Sequence, residues 1–166
     1  MSSRLERFRE AQSSPNAGHE AALEEVRAGR KRGHWIWYVL PQLHGLGTSA
    51  MSETYGIDGR DEAVEYLRDP TLRDRYLELT AAIAEQLRRS PPASLCVLMG
   101  SDIDALKTVS SLTLFGRVAD QLGAESKQCL EIAALAREVL GVADAQGYPP
   151  CRRTLRALGI AESSAG

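Results

Sequence analysis

The chain has 166 residues, which is enough to bury one hydrophobic core and too few for two comfortable ones. Its 43% apolar and 25% charged residues, with 20 basic against 22 acidic side chains, exclude an intrinsically disordered chain, which needs low hydrophobicity and a large charge imbalance. The formal net charge of -2 also argues against a dedicated nucleic-acid-binding protein, because such proteins carry a clear basic excess.

The N-terminus, the apolar runs and the cysteines together predict the cellular location. The N-terminus is charged with no apolar stretch behind it, and the longest apolar runs are far too short to span a membrane. Cys96, Cys129 and Cys151 are widely spaced and form no Cys-x-x-Cys pair, so we predict free thiols without a structural metal. None of the three has the electropositive sequence context of a reactive thiol. The sequence therefore predicts a cytoplasmic protein with no membrane contact, metal or cofactor.

Helical patterns begin near the N-terminus. Leu5 and Phe8 open a short amphipathic segment, which Pro15 ends. A second helical segment is predicted over 17–32, and cations collect in its last turn, where the negative end of the helix dipole favours them. Asp58-Gly59 predicts a turn, followed by a short helix around 63–67.

The clearest helix starts at Asp69-Pro70, with Asp69 as the cap and Pro70 in the first helical position. Its apolar residues recur at spacings of three and four, which is the period of an amphipathic helix. This stripe, which we expect in the core, consists of Leu72, Tyr76, Leu79, Ile83 and Leu87.

Three further helices are predicted in the second half of the chain. Ser101 or Asp102 caps a segment whose apolar residues continue to Leu122. A later helix is expected to end at Gly141, and a short terminal helix follows Pro150.

Two segments, 34–40 and 95–99, are rich in aromatic, β-branched or apolar residues and suit a strand as well as a helix. Two isolated strands would make a poor sheet. We therefore predict an all-α fold, a single compact multi-helix domain over residues 1–160, with a frayed tail at 161–166.

The aromatic-basic segment, residues 29–42, contains both tryptophans and three consecutive cations. Arginine and lysine bind phosphate oxygens, an indole ring stacks on a base, and a glutamine offers both a donor and an acceptor. The segment therefore predicts a site for a phosphorylated or nucleotide-like ligand, bound by Arg30, Lys31, Trp35, Trp37 and Gln42. The alternative is that the tryptophans are core residues and the cations form a solvated helix end.

A second polar cluster supplies candidate catalytic groups. Asp104 and Lys107 are three apart and share one face of a helix, so Asp104 is a candidate base for activating water. An imidazole can act as acid or base near neutral pH, so His34 is the second catalytic candidate. The alternatives are helix capping with an ordinary ion pair for the first group and a structural hydrogen bond for His34. Glu24 and Glu25 both precede the basic turn and are candidate partners for it.

Several motifs follow one another in the order of a known bacterial family. They are Arg7-Phe8 with Ala11-Gln12, Gly29-Arg30-Lys31, His34-Trp35-x-Trp37, Pro41-Gln42, Gly45-Leu46-Gly47-x-Ser49, Tyr55-Gly56-Ile57, Glu62-Ala63, Tyr66-Leu67-x-x-Pro70-x-Leu72, Asp104-x-x-Lys107 and Ser111-x-Thr113-Leu114-Phe115. On these residues, over about 4–122, the chain resembles the domain-of-unknown-function family numbered eighteen-ten, whose members are sometimes labelled calpastatin. One departure is Gly33, where the family usually has a small hydroxyl residue.

The resemblance implies a compact all-helical domain and no established activity. The calpastatin label is unsupported, because that inhibitor is disordered and repetitive and this chain is neither. Ser49 and Tyr55 are predicted to close the ligand site, with Lys107 facing it. Thr113 joins the candidate ligand-binding residues because it falls on a family motif.

Two functional hypotheses remain open. In the first, Lys31, His34, Trp35, Gln42 and Asp104 converge on one pocket for the phosphorylated ligand. If the protein is an enzyme, the reaction is hydrolysis of N-glycosidase type, since the order of a basic turn and an aromatic segment is loosely similar to bacterial N-glycosidases of ADP-ribose-type nucleotides. In the second, the protein is a non-catalytic interaction module whose exposed tryptophans and arginines bind a partner protein. The sequence gives no prediction of oligomeric state.

Overall fold

A computed structural model describes residues 3–91 and 93–160 of the chain. After a 3-10 turn at Ser3–Leu5, its helices are α1 (Glu6–Gln12), α2 (His19–Arg27), α3 (Ile36–Val39), α4 (Ala50–Tyr55), α5 (Gly59–Arg68), α6 (Pro70–Leu87), α7 (Leu95–Met99), α8 (Asp102–Gln121), α9 (Lys127–Ala145) and α10 (Arg152–Ala157). The only strand-like pairing in the described ranges is an isolated bridge between Leu43 and Ile57. The all-α prediction is confirmed, while the predicted tail at 161–166 lies outside the described residues.

No helix among the described residues combines the length and the apolar character needed to cross a membrane.

Two helices begin with the N-terminal caps that the sequence predicts. The Asp69 carboxylate accepts a hydrogen bond from the Leu72 N–H, and Pro70 occupies the first turn of α6, where a missing N–H costs nothing. The Ser101 hydroxyl accepts the Asp104 N–H in the same way at the start of α8. The caps expected at Asp69 and Ser101 are therefore confirmed.

The centre of the fold is formed by the three long helices. α9 packs against α8 and α6, and α6 also packs against α2. The predicted α6 stripe is buried along its whole length, from Leu72 to Leu87. Aromatic rings of α5, α6 and α8 meet in the core, where Phe115 lies 4.8 Å from both Tyr66 and Tyr76, measured between ring centroids.

The segment over 17–32 is not one helix, as was expected. α2 ends at Arg27, because Gly29 adopts a φ of 91°, a left-handed conformation that ends helices and favours glycine. The chain then turns towards α7, and the Lys31 N–H donates to the Leu98 carbonyl at 2.7 Å. Of the cations predicted at this helix end, Arg27 is in the last turn of α2, whereas Arg30, Lys31 and Arg32 lie in the loop that follows.

One other boundary also differs from the sequence pattern. α9 continues past Gly141 to Ala145, because its packing continues as far as the buried Ala143, and a helix tolerates an interior glycine at a cost of about 1 kcal/mol. The two ambiguous segments are helical: they contain the short helices α3 and α7.

Candidate functional site

Lys31 is the buried centre of the aromatic-basic segment. Only 7% of the residue is exposed, and its Nζ lies 2.8 Å from Asp104 Oδ2. The ammonium group also donates to the Gly33 carbonyl at 2.5 Å and lies 5.1 Å from the centre of the Trp35 ring. A buried charge needs such partners, and here they come from the loop itself and from α8.

Trp35 belongs to the core. It is 0% exposed, and its Nε1 donates to Glu25 Oε1 at 3.2 Å. The same Glu25 oxygen accepts the N–H groups of Arg32 and Gly33 at 2.5 and 2.7 Å. Glu25 thus bonds to the backbone of the basic loop, and not only to its charges as the sequence suggested. A fully buried ring has no free face, so the stacking role expected for Trp35 does not agree with the structure.

The environment of Glu25 shifts its ionisation. Partial burial opposes the charged form, but the N–H groups of Gly33 and Arg32, the Trp35 indole and the Lys31 charge outweigh it. The pKa of Glu25 is therefore lowered from its ordinary value of 4.5.

Glu25→Gln is expected to lower the free energy of unfolding at neutral pH by about 1 kcal/mol, because charged acceptors form stronger hydrogen bonds than neutral ones. A lowered folded-state pKa stabilises the fold above the unfolded-state pKa, and this stabilisation is lost as the pH falls through the folded-state pKa. Urea unfolding at pH 7 and at about pH 3 should show the difference between variant and wild type shrinking with acidification. The exposed neighbour provides the control variant, Glu24→Gln. A difference that persists unchanged in acid would contradict this account.

A cleft formed by α3, α4 and α8 lies on the side of α3 opposite to Trp35. Its lining residues are Ile36, Trp37, Leu40, Gln42, Ser52, Tyr55, Gly56 and Lys107. The cleft is small, with a volume of about 10 Å³, which is roughly what one water molecule requires. The Lys107 Nζ lies 4.7 Å from the centre of the Trp37 ring, a cation–π distance. The Trp37 Nε1 is buried and has no hydrogen-bond partner among the described residues.

Asp104 connects this cleft to the buried loop. Its Oδ2 is 2.8 Å from the Lys31 Nζ, and its Oδ1 is 3.9 Å from the Lys107 Nζ. Lys31 also interacts electrostatically with Glu25, so Lys107 is the cation that remains for an anion near the cleft.

The predicted site residues therefore separate into groups. Lys31, Trp35 and Asp104 meet in the buried loop, and Asp104 also approaches Lys107; Trp37, Gln42, Tyr55 and Lys107 line the cleft. Gln42 lines the same cleft as Lys107, and Lys107 approaches Asp104, so Gln42 is linked to Lys31, Trp35 and Asp104 only in this indirect way.

Four predicted residues lie elsewhere. His34 and Arg30 are exposed, and neither side chain makes a hydrogen bond or ion pair with a described residue. The Ser49 hydroxyl caps α4 by accepting the Ser52 N–H at 3.1 Å. Thr113 is buried in α8 with both hydroxyl functions used, since it donates to the Val109 carbonyl and accepts the Cys151 N–H. The single pocket containing His34, as expected from the sequence, is not found.

Cys151 has an environment that the sequence analysis missed. Partial burial disfavours its thiolate, but hydrogen bonds from the hydroxyls of Thr154 and Ser110 and from the N–H groups of Thr154 and Arg153 outweigh this, so the pKa of Cys151 is lowered. The shift is caused by hydrogen bonds from the first turn of α10 and from Ser110, and a single sequence carries no signal for the Ser110 contact. All three thiols are free in the structure, and Cys96 is only partly buried.

Both a known protein family and a solved structure are similar to this chain. A model for a family of unknown function, DUF1810, matches residues 2–141. The chain belongs to the DUF1810 family. Among solved structures, it is 36% identical to the conserved hypothetical protein Rv1873 from Mycobacterium tuberculosis, over 95% of this chain and 97% of that one, with a TM-score of 0.72. No curated protein matches the sequence. The family resemblance predicted from the motifs is confirmed, and the match extends beyond residue 122.

Many of the DUF1810 motif residues hold helices together. Arg7 in α1 makes a bidentate pair with the buried Glu62 of α5, with contacts of 2.8 and 3.1 Å. Gln12 donates to the Tyr66 hydroxyl at 2.9 Å and to the Tyr38 carbonyl at 2.8 Å. These motif positions are explained by packing, whereas Trp37, Gln42, Tyr55 and Lys107 line the cleft.

Proposed function

We propose that the protein binds the anionic end of a phosphorylated small molecule in the cleft lined by Trp37 and Lys107. The observation that carries the proposal is the Trp37 indole N–H, which is buried without a partner among the described residues. An unsatisfied buried donor costs about 1–3 kcal/mol. A ligand oxygen in the cleft would accept this N–H and remove that cost.

The other polar groups of the cleft suit the same ligand. Lys107 supplies a charged donor, Gln42 an amide, and Ser52 and Tyr55 supply hydroxyls. Lys107 is the charged lining residue of the cleft, and its ammonium group attracts an anion.

The size of the cleft limits what enters it. A volume of about 10 Å³ admits little more than one oxygen-sized group. The ligand is therefore bound by a terminal phosphate oxygen, and its body lies outside, over the exposed surface. One face of Trp37 is covered by Lys107, so recognition comes from charge and hydrogen bonds more than from stacking.

Hydrolysis of N-glycosidase type is not part of the proposal. A water activated by Asp104 would have to compete with Lys31 and Lys107 for its oxygens. His34, the second catalytic candidate, is exposed and is not a lining residue of the cleft. The interaction-module hypothesis needs exposed tryptophans, and it loses support because Trp35 is fully buried and Trp37 partly so.

Ribose 5-phosphate is a suitable probe, with ribose as the uncharged control, and calorimetric titration measures both. We expect saturable binding of the phosphate and none of the sugar. Lys107→Met should weaken binding about tenfold, because a charge-assisted hydrogen bond contributes about 1.5–3 kcal/mol. The matched control is Lys127→Met, which removes an exposed lysine at the start of α9. If ribose 5-phosphate and inorganic phosphate both fail to bind, the proposal is refuted.

Trp37→Phe tests the indole N–H directly, because it keeps an aromatic ring under Lys107 and removes the donor. The free energy of unfolding should stay within about 1 kcal/mol of wild type, since the lost apolar area is offset by removal of an unsatisfied donor. The affinity for ribose 5-phosphate should fall about tenfold. Unchanged affinity with a clear loss of stability would show that this N–H is structural.

A further inference from the structure

A larger groove lies between α8 and α9, apart from the cleft at Trp37. Its volume is about 300 Å³, at the lower end of small-molecule pockets. The apolar part of its wall is formed by Leu112, Ala136, Leu140 and Pro150. The groove shares no lining residue with the cleft, so anything that it binds is bound independently of the function proposed above.

Two helix-interior glycines line this groove. A Cβ added to Gly116 would come within 2.8 Å of the Ala136 Cβ, so Gly116 is explained by the close approach of α8 and α9. Gly141 has no such explanation: an added Cβ would meet no heavy atom within 4 Å. Glycine destabilises a helix interior relative to alanine. Gly141 therefore weakens α9 with no packing reason, and it does so beside the groove.

The rim of the groove is charged. Arg137 is paired with Asp120 at 3.3 Å, while the Arg117 guanidinium is exposed and makes no hydrogen bond or ion pair with any residue in the described ranges. Two arginines against one aspartate leave a net positive rim over an apolar wall. Guanidinium groups bind carboxylates in a bidentate geometry, so the rim is complementary to one carboxylate.

We propose that the α8–α9 groove binds a free, water-soluble monocarboxylate with an apolar body, such as a medium-chain fatty acid. The apolar chain lies against Leu112, Leu140 and Pro150, and the carboxylate pairs with Arg117. Gly141 is glycine because a side chain there would occupy the space of the ligand.

Decanoate is the probe, and amide chemical shifts measured during a titration of the full-length protein locate its binding. We expect saturable shifts centred on Gly116, Arg117 and Gly141. Acetate has the charge without the chain, and decyltrimethylammonium has the chain with the opposite charge; neither should produce the saturable shifts. Absence of saturation with decanoate, or equal binding of the cationic amphiphile, would overturn the proposal.

Two variants separate binding from folding. Gly141→Leu should raise Tm by about 2 to 4 °C, because it improves helix propensity, and yet abolish decanoate binding by filling the groove. Its control is Ala134→Leu, which adds the same side chain at an exposed position of α9 outside the groove. Decanoate affinity that survives in Gly141→Leu would refute the assignment.

The charge is tested by Arg117→Gln, which should weaken decanoate binding about tenfold, with Arg89→Gln as the matched loss of an exposed arginine elsewhere. Equal affinities of these two variants would show that the carboxylate is not recognised at the rim.

Discussion

Asp104→Ala is expected to lower the free energy of unfolding by about 3 kcal/mol, which is a large share of the stability of an ordinary domain. The reason is Lys31: its side chain is 6% exposed and would lose its carboxylate partner. The expected loss lies at the lower end of the range for a broken buried pair, because 18% of the Asp104 side chain is exposed.

The control is the double variant Lys31→Met/Asp104→Ala, which removes both charges and fills the space with an apolar chain. Because replacing a buried ion pair by apolar groups is often nearly neutral, the double variant should recover much of the stability lost by Asp104→Ala. Urea unfolding of the wild type, both single variants and the double variant gives the coupling energy. A loss of less than about 1 kcal/mol in Asp104→Ala would mean that the pair behaves like a surface ion pair.

The sequence predicted the parts of the fold that depend on local periodicity. The stripe from Leu72 to Leu87 and the caps at Asp69 and Ser101 need only neighbours within about one helical turn, and all were correct. The ends of α2 and α9 were not, because glycine has different effects in the two places. Gly29 adopts a left-handed φ and ends α2, whereas Gly141 stays inside α9, and tertiary packing decides between these outcomes.

The candidate site was predicted in part, and its main error has a geometric cause. Trp35 and Trp37 are two residues apart, which would put them on the same face of a strand. Around α3 they lie roughly 200° apart, at about 100° per residue, so one ring enters the core and the other lines the cleft. The sequence analysis assigned a ligand-binding role to both from composition, which does not show which face of a helix each ring occupies.

The convergence of Lys31 and Asp104 was predicted, since each is costly to bury alone, but as part of a ligand pocket and not as a direct ion pair. The functions of Glu25 and Gln12 were not foreseeable in this way. Glu25 accepts backbone N–H groups, and Gln12 bridges α1 to Tyr66 and to the Tyr38 carbonyl; both sets of partners exist only after the chain has folded. A single sequence contains no periodic signal for such long-range hydrogen bonds.

The aromatic cluster of Phe115, Tyr66 and Tyr76 is also a long-range feature. A substitution in this cluster is the second change for which we expect a large loss of stability. Phe115 is fully buried in α8, and its ring contacts Tyr66 of α5 and Tyr76 of α6. Both tyrosine hydroxyls already have partners, at Gln12 and Ser111. The rings therefore cannot turn to fill a vacated space without breaking buried hydrogen bonds.

Phe115→Ala is accordingly expected to cost about 3–5 kcal/mol, the range for phenylalanine truncation in a core that relaxes little. Phe115→Leu keeps most of the side-chain volume and should lower the free energy of unfolding by less than about 2 kcal/mol. Comparing the two losses therefore shows how much of the effect of Phe115→Ala is caused by the cavity that it leaves. Urea unfolding of both variants gives these values. A loss of less than about 2 kcal/mol in Phe115→Ala would show that Tyr66 and Tyr76 close over the gap. Their hydroxyl hydrogen bonds would then be weaker constraints than their burial implies, and the tyrosines, not Phe115, would define the position of α8.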